Sequence, residues 1–294
     1  MVASRAGQNV GVLTDVVDRL KCPHCGSPLE FDFPQLLCAR GHGFDVARQG
    51  YVNLLPGSGR AAAGDSAEMV AARERFLDGG GYRPLTAAVA AEVLRARDRS
   101  PVECVLDVGA GTGHYLAAAL DVAPGAVGVA VDAAKPAARR AARCHPRAGS
   151  VLADVWQQLP LRDHAVSVAL VVFAPRGPAE LRRVLTPDGC LVVLTPTPRH
   201  LGELVGALGL LRVDERKPER LDNAMTGTFV RGSHSVVEFT LRLDRDGVEA
   251  LVGMGPSAWH QSTARRAEQV AALAEPMLVT ASVQVSVYRP VPRS

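Results

Sequence analysis

Three cysteines and one histidine near the start of the chain have the types and spacing to hold a metal ion. Residues Lys21 to Asp45 read KCPHCGSPLEFDFPQLLCARGHGFD, which sets out Cys22-x2-Cys25-x12-Cys38-x3-His42. Each short pair lies beside glycine, Gly26 in one case and Gly41 and Gly43 in the other, so each reads as a tight turn. Zinc takes four nitrogen or sulfur ligands in a tetrahedron, and three thiolates with one imidazole close that set. A closed set leaves no position for water or substrate, so the metal is expected to be structural, replacing a core in a segment too short to bury one. Gripping a nucleic acid is a second role compatible with the first. His24 sits inside the first pair and would point away from an ion held by both thiolates.

A second constellation has the spacing of a cofactor turn. Asp107-x-Gly109-x-Gly111-x-Gly113 is followed at once by His114 and Tyr115. In a dinucleotide fingerprint, G-x-G-x-x-G, the glycines admit a pyrophosphate. Here the third glycine comes one place early and an acid precedes the turn, a pattern that resembles the first motif of class I S-adenosylmethionine (AdoMet) methyltransferases. AdoMet carries a positive sulfonium and no pyrophosphate, so a carboxylate beside the turn suits it. The resemblance implies cofactor contacts from Asp107, Gly109, Gly111, Thr112, Gly113, His114 and Tyr115. It also implies that Asp132, ending the next strand, meets the ribose hydroxyls and that Asp154, after the third, meets the adenine amino group. One acid at a strand end is as readily a helix cap. Three at successive strand ends, with the glycine turn, point to the cofactor.

The elements that position these residues follow from alternation. Strands are expected over 103–108, at AVGVAV before Asp132, over 150–153, over 166–173 and over 190–195, the fourth being a nearly continuous apolar run as in a strand buried on both faces. Helices are expected after the glycine turn, near Pro136 and over 178–185, with a turn at Pro187-Asp188-Gly189. The fold class is therefore α/β: a Rossmann-like, doubly wound, mostly parallel sheet with its ligand at the carboxyl ends of the strands, preceded by a small zinc-binding module. Between the two lie a short strand in GYVNLL, a loop rich in glycine and small residues, and two helices. Asp65 or Ser66 caps the first, Met69, Ala72, Phe76 and Leu77 recur at helical spacing, and Gly79 to Gly81 end it before a second helix from about Pro84 to Arg97. With Arg73 and Arg75 elsewhere on the surface, this pair reads as a linker with a charged, solvated face. The domains expected are a zinc-binding RNA-recognition module over 1–58, a helical connector over 59–100 and a methyltransferase domain over 101–294.

Composition sets few limits. The chain has 294 residues, 47% of them hydrophobic but only 4% aromatic, so its core must be mainly aliphatic. No apolar run approaches the roughly 20 residues of a membrane span, and Met1 to Leu20 lacks the apolar block of a signal peptide, so a soluble, cytoplasmic protein is expected. The net charge of +3 does not single out a partner, because lysine and arginine nearly balance the acids throughout residues 1–100. Of the six cysteines, the three outside the quartet, Cys104, Cys144 and Cys190, read as packing residues.

The residues after the fourth strand narrow the acceptor. They read Phe173-Ala174-Pro175-Arg176, unlike the Asn/Asp/Ser-Pro-Pro-aromatic motif of amino-methylating DNA enzymes, and no Pro-Cys dipeptide offers a cytosine-5 nucleophile. Direct transfer to a nitrogen or oxygen remains. Over nearly its whole length the chain resembles one family: the zinc quartet, GHGFDVARQGYVNLLP, GDSAEMVAARERFL, LDVGAGTGHY, FAPRGPAELRRVLTPDG, TPTPRHLGEL and MGPSAW occur in the order of the RlmA family of 23S rRNA (guanine-N1)-methyltransferases.

The resemblance implies methylation of guanine N1 in hairpin 35 of domain II, with 23S rRNA as partner, a homodimer and no membrane. The Ala/Arg-rich composition is similar to that of TlrB-type members, which implies position 748 and resistance to macrolides such as tylosin or mycinamicin. The nearby position 745 is the alternative. A small-molecule methyltransferase of antibiotic biosynthesis would share the fold but give no reason for the zinc module. An inactive zinc-bearing RNA-binding protein is the remaining alternative. The target guanine must be in a loop or flipped out, because its N1 is otherwise paired. The backbone at Ala174 and Pro175 is the candidate for its Watson–Crick edge, His200 and His114 are candidate bases, and Arg73, Arg75 and Arg176 are candidate phosphate contacts. Trp259 is expected to pack or to close the cleft.

Overall fold

Apolar residues at the start of the chain tie the N-terminal segment into the rest of the molecule. In this computed structural model, residues 12–55, 64–175, 177–210, 214, 217–255 and 263–292 are described. Residues 12–16 are helical and Val17–Arg19 forms a 3-10 turn, with Leu13, Val16 and Leu20 fully buried. Strands β1 (Leu29–Asp32), β2 (Gln35–Cys38) and β3 (Gly43–Asp45) then make a small antiparallel sheet in the order β1-β2-β3. Leu29, Leu36 and Phe44 belong to one apolar cluster with Leu20 and with residues of the large sheet. Strand β4 (Tyr51–Asn53), inside the segment expected to be the zinc module, pairs in parallel with β7 (Ala148–Leu152) as the outer strand of the large sheet. The N-terminal module and the large sheet therefore share an apolar cluster.

The large sheet adds β5 (Cys104–Val108), β6 (Val127–Asp132), β8 (Val166–Val172), β9 (Leu185–Pro196), β10 (Phe229–Leu243) and β11 (Met277–Pro290), in the order β10-β11-β9-β8-β5-β6-β7-β4. Pairing is parallel from β4 to β9, whereas β11 runs antiparallel to β9 and β10 antiparallel to β11. The two-residue period of a strand decides which side chain goes where. Cys104, Leu106 and Val108 enter the cluster shared with the N-terminal segment, while Val105 enters the cluster on the opposite face. From β5 the chain steps outward through β6 and β7 and then returns to β8 on the other side. That reversal opens a crevice at the carboxyl ends of β5 and β8.

The helices show where local pattern misleads. Helix α1 (Ala67–Asp78) is capped by Ser66, whose Oγ accepts from the Met69 N–H at 3.3 Å. Helix α2 (Arg83–Arg97) buries Leu85, Val89 and Val93 completely, one every four residues. Burying each such side chain is worth about 1.5–3 kcal/mol, so α2 is a covering helix of the sheet and not a solvated linker. With it on that face lies α3 (His114–Val122). Helices α4 (Lys135–Ala141) and α5 (Pro178–Val184) both carry proline in the first turn, Pro136 and Pro178, as expected. The expected break at Pro187-Asp188-Gly189 is instead a bulge inside β9: two steps along β8, from Val166 to Val168, face five along β9, from Leu185 to Cys190. After β9 come α6 (Gly202–Leu208), α7 (Lys217–Met225), α8 (Arg245–Gly253) and α9 (Thr263–Ala271). Among the described residues no helix is long and apolar enough to cross a membrane.

Candidate functional site

The glycine turn forms the floor of a cavity of about 800 Å³ at the topological reversal. Gly109 has φ +71°, and a Cβ there would stand 2.6 Å from the Ala174 Cβ. Gly111 has φ +56°, with the Arg73 guanidinium 2.9 Å from where its Cβ would be. Both positions require glycine for conformation, and Gly109 also for room. Thr112, His114 and Tyr115 line the cavity beside them. Gly113 does not line it: its missing side chain lets Cys144 approach, with Sγ 2.6 Å from a notional Cβ. Gly113 thus seats the C-terminal end of α4 closely on the turn. Cys104, Cys144 and Cys190 lie in or against the core, where burial pushes their thiols up to about 12, 12 and 11, as inert packing residues require.

Three acids meet the cavity. Asp107 is 1% exposed, and its Oδ2 is buried without a hydrogen-bond partner, as is the Tyr115 hydroxyl. Burial first, and the nearby Asp132 second, push the Asp107 carboxyl up to about 7. Asp132 accepts from Gly111 N–H through Oδ2 and from Ala134 N–H through Oδ1, both at 2.8 Å, which fixes its carboxylate plane. Each oxygen keeps a second lone pair for a ligand hydroxyl. Asp154 accepts from the Trp156 N–H at 2.9 Å and from Gln157 Nε2 at 3.1 Å. Two orphaned oxygens, a cradle that admits no Cβ and a pre-aimed carboxylate fit the AdoMet group.

The connector supplies the opposite wall, which local pattern did not reveal. Gly64, Asp65, Arg73, Leu77 and Tyr82 line the cavity. Arg73 pairs with Asp65 at 2.5 Å and donates through Nη2 to the Met254 carbonyl at 3.1 Å. Its expected role as a phosphate contact is corrected: both ends of the guanidinium are committed inside the protein. Arg75 is exposed on α1, whereas Arg176 and Trp259 lie outside the described residues. Tyr82 reaches the cavity because Gly81 lets the chain turn against Phe76, whose ring occupies the space that a Cβ would take. The Phe76 and Tyr82 rings then meet edge to face at 4.9 Å.

Of the candidate bases, His200 lines the cavity with Ala174 and Pro175, but both its ring nitrogens are engaged. Nδ1 accepts from the Ser282 N–H at 3.2 Å and Nε2 lies 3.2 Å from the Tyr82 hydroxyl. His114 Nε2 lies 2.9 Å from Thr86 Oγ1, and burial holds its imidazole below the usual range. His200, with both nitrogens engaged, lacks the geometry of a ready proton acceptor.

The metal ligands converge as their spacing implies. One ligand atom each from Cys22, Cys25, Cys38 and His42 lies within 4.8 Å of every other. Cys25 and Cys38 Sγ are 3.7 Å apart, while His42 Nδ1 is 3.5 Å from Cys22 Sγ and 3.3 Å from Cys38 Sγ. A tetrahedral ion with ordinary zinc bond lengths separates two sulfurs by about 3.8 Å and sulfur from nitrogen by about 3.5 Å. The cage therefore fits zinc through Nδ1. His24 is outside it, stacked on Phe44 at 5.7 Å. None of residues 12–55 lines the cavity.

Sequence comparison matches this division. The family described as "RlmA, N-terminal" matches residues 20–60, and that described as "Methyltransferase domain" matches residues 106–193. A protein of Streptomyces fradiae named 23S rRNA (guanine(748)-N(1))-methyltransferase is 50% identical over 278 residues, covering 95% of this chain and 99% of that protein. The chain belongs to the RlmA family. A Micromonospora griseorubida member assigned as a 23S rRNA (guanine-N(1)-)-methyltransferase is 52% identical, covering 94% of this chain and 99% of its own. A Bacillus subtilis member with the same assignment is 30% identical and covers 81% of this chain. As an RlmA-family enzyme, the chain is an AdoMet-dependent methyltransferase with a structural zinc ion.

Proposed function

We propose that this chain methylates N1 of guanine 748, in hairpin 35 of domain II of 23S rRNA, in the cytoplasm, and so confers resistance to macrolides such as tylosin or mycinamicin. The observation that carries this reading is the 50% identity along 95% of the chain to the Streptomyces fradiae enzyme whose name specifies that guanine. The cavity supports it physically. Beyond the cofactor turn its lining continues past Phe173, Ala174 and Pro175 to His200, where a flipped base would lie.

When bound, the cofactor supplies an already activated methyl group, so alignment of the acceptor nitrogen is the chain's main contribution. Asp107, Gly109, Gly111, Thr112, His114, Tyr115, Asp132 and Asp154 would hold it. The backbone at Ala174 and Pro175 would meet the Watson–Crick edge of guanine. The zinc module, on the other face of the sheet, would engage the RNA outside the cavity, with Arg75 as a phosphate contact on the connector.

The test incubates the protein with labelled AdoMet and a domain II hairpin transcript, then copies the product with reverse transcriptase. N1-methylation blocks Watson–Crick pairing, so the expected result is a strong stop at guanine 748. A stop at a neighbouring guanine would overturn the position, and label in a macrolide instead of the RNA would overturn the substrate.

A further inference from the structure

The proposed function leaves one cluster at the cavity wall unassigned. Phe173, Tyr82 and His200 come from β8's end, the turn between α1 and α2, and the loop after β9. The Phe173 and His200 rings lie 5.9 Å apart and 28° from parallel, and Tyr82 stands 6.0 Å from each. Phe173 is 41% exposed in a mainly aliphatic protein, and it holds φ +55°, a left-handed conformation that a bulky residue adopts only under constraint. Its N–H is tied to the Leu194 carbonyl at 3.1 Å. The ring is thus presented to the cavity by a fixed backbone.

Hydrogen-bond direction gives Tyr82 a definite role. The Ser282 N–H can only donate, so His200 Nδ1 carries a lone pair and the neutral ring's proton sits on Nε2. Nε2–H then donates to the Tyr82 oxygen, leaving the phenol's own hydrogen for a cavity ligand. Burial raises the Tyr82 phenol far above its ordinary range, so the hydroxyl stays protonated.

Resting on the proposed guanine-N1 reading, we infer that Phe173, Tyr82 and His200 form the acceptor-base subsite: the purine lies on Phe173, Tyr82 O–H donates to the carbonyl oxygen O6, and His200 is the positioning residue that fixes the direction of donation. The chemistry requires such a donor. N1 must lose its proton, which leaves to water, before its electron pair forms the bond to the methyl carbon and the carbon–sulfur pair returns to sulfur. Negative charge left by the proton spreads onto O6, where a preorganised donor stabilises it as an oxyanion hole does.

Tyr82→Phe removes one oxygen and keeps the ring. The expected result is a roughly 100-fold lower kcat/KM on the hairpin transcript, with calorimetric AdoMet affinity unchanged, which also shows that the variant folds. A transcript with 6-thioguanine at the target offers sulfur, a weak acceptor, so the same substitution should cost only a few-fold there. His200→Gln, which keeps a donor and an acceptor, should retain most activity while His200→Leu does not. Wild-type kcat/KM in Tyr82→Phe, or an equal penalty on both transcripts, would overturn the contact. If the wild-type chain transfers no methyl to RNA, the proposed function fails and this assignment fails with it.

Discussion

The zinc module and the helical connector divide the work unequally, and not as their sequence signals suggest. The module has the sharpest spacing in the chain, four ligands converging within 4.8 Å, yet gives no residue to the cavity. The connector has no metal motif and a weak pattern, yet it brings Asp65, Arg73, Leu77 and Tyr82 to the cavity. A metal cage must be local, because its ligands close short turns. A cavity wall has no such constraint and can be assembled from any segment that folds against it. Strong spacing therefore marks where the chain is held, and the absence of spacing does not mark a spacer.

That contrast can be broken at three points. The largest effect is expected at Asp107, on the floor both regions leave to β5. Its carboxyl is raised to about 7 from the ordinary 3.8, so the folded chain binds more protons than the unfolded one between those values. Stability of the cofactor-free protein should therefore fall as pH rises through that window. Affinity for positively charged AdoMet should rise over the approach to pH 7, as the carboxyl ionises. Asp107→Asn should abolish cofactor binding in calorimetry while raising the melting temperature at pH 8. Retained affinity would remove Asp107 from the site.

Zinc removal comes next and acts on the fold. Cys22 and Cys38 share a cluster with Leu20, Leu106 and Val131, so loosening the cage exposes a face of the large sheet. Calorimetric scanning of Cys38→Ala should show a melting temperature lower by about 10 °C or more, given the several kcal/mol that structural zinc contributes. An unchanged melting temperature would mean that the module hangs free of the sheet. The smallest effect is expected in the connector. Arg73→Ala breaks the tie from α1 to Asp65 and the Met254 carbonyl, which is partly solvent-screened. AdoMet should bind roughly tenfold more weakly, a loss of about 1.4 kcal/mol, with zinc content unaltered. Wild-type affinity would return the connector to the status of a linker.

How much of this was legible in the sequence depends on how far apart the partners lie. The quartet and the turn from Asp107 to Gly111 could be read directly, because ligand geometry and positive φ act over a few residues. The parallel strands followed from their apolar runs. Strand β10 did not, since residues 230–236 are exposed on both faces and leave no two-residue period. Tyr82 and His200 are separated by 118 positions and meet through tertiary packing alone. The signal for Tyr82 was present in Gly79 to Gly81, but it read as a helix stop. Gly81 in fact makes room for the Phe76 ring that seats Tyr82. Gly113 shows the converse, a motif glycine whose missing side chain makes room for Cys144.

The most direct measurement of this division is an AdoMet titration of the intact chain after zinc chelation, below its lowered melting temperature, beside the zinc-loaded protein. The cofactor cavity takes its walls from the glycine turn and the connector, so the expected result is the same affinity and stoichiometry in both samples. Loss of AdoMet binding in step with loss of zinc, while the chain remains folded, would contradict it.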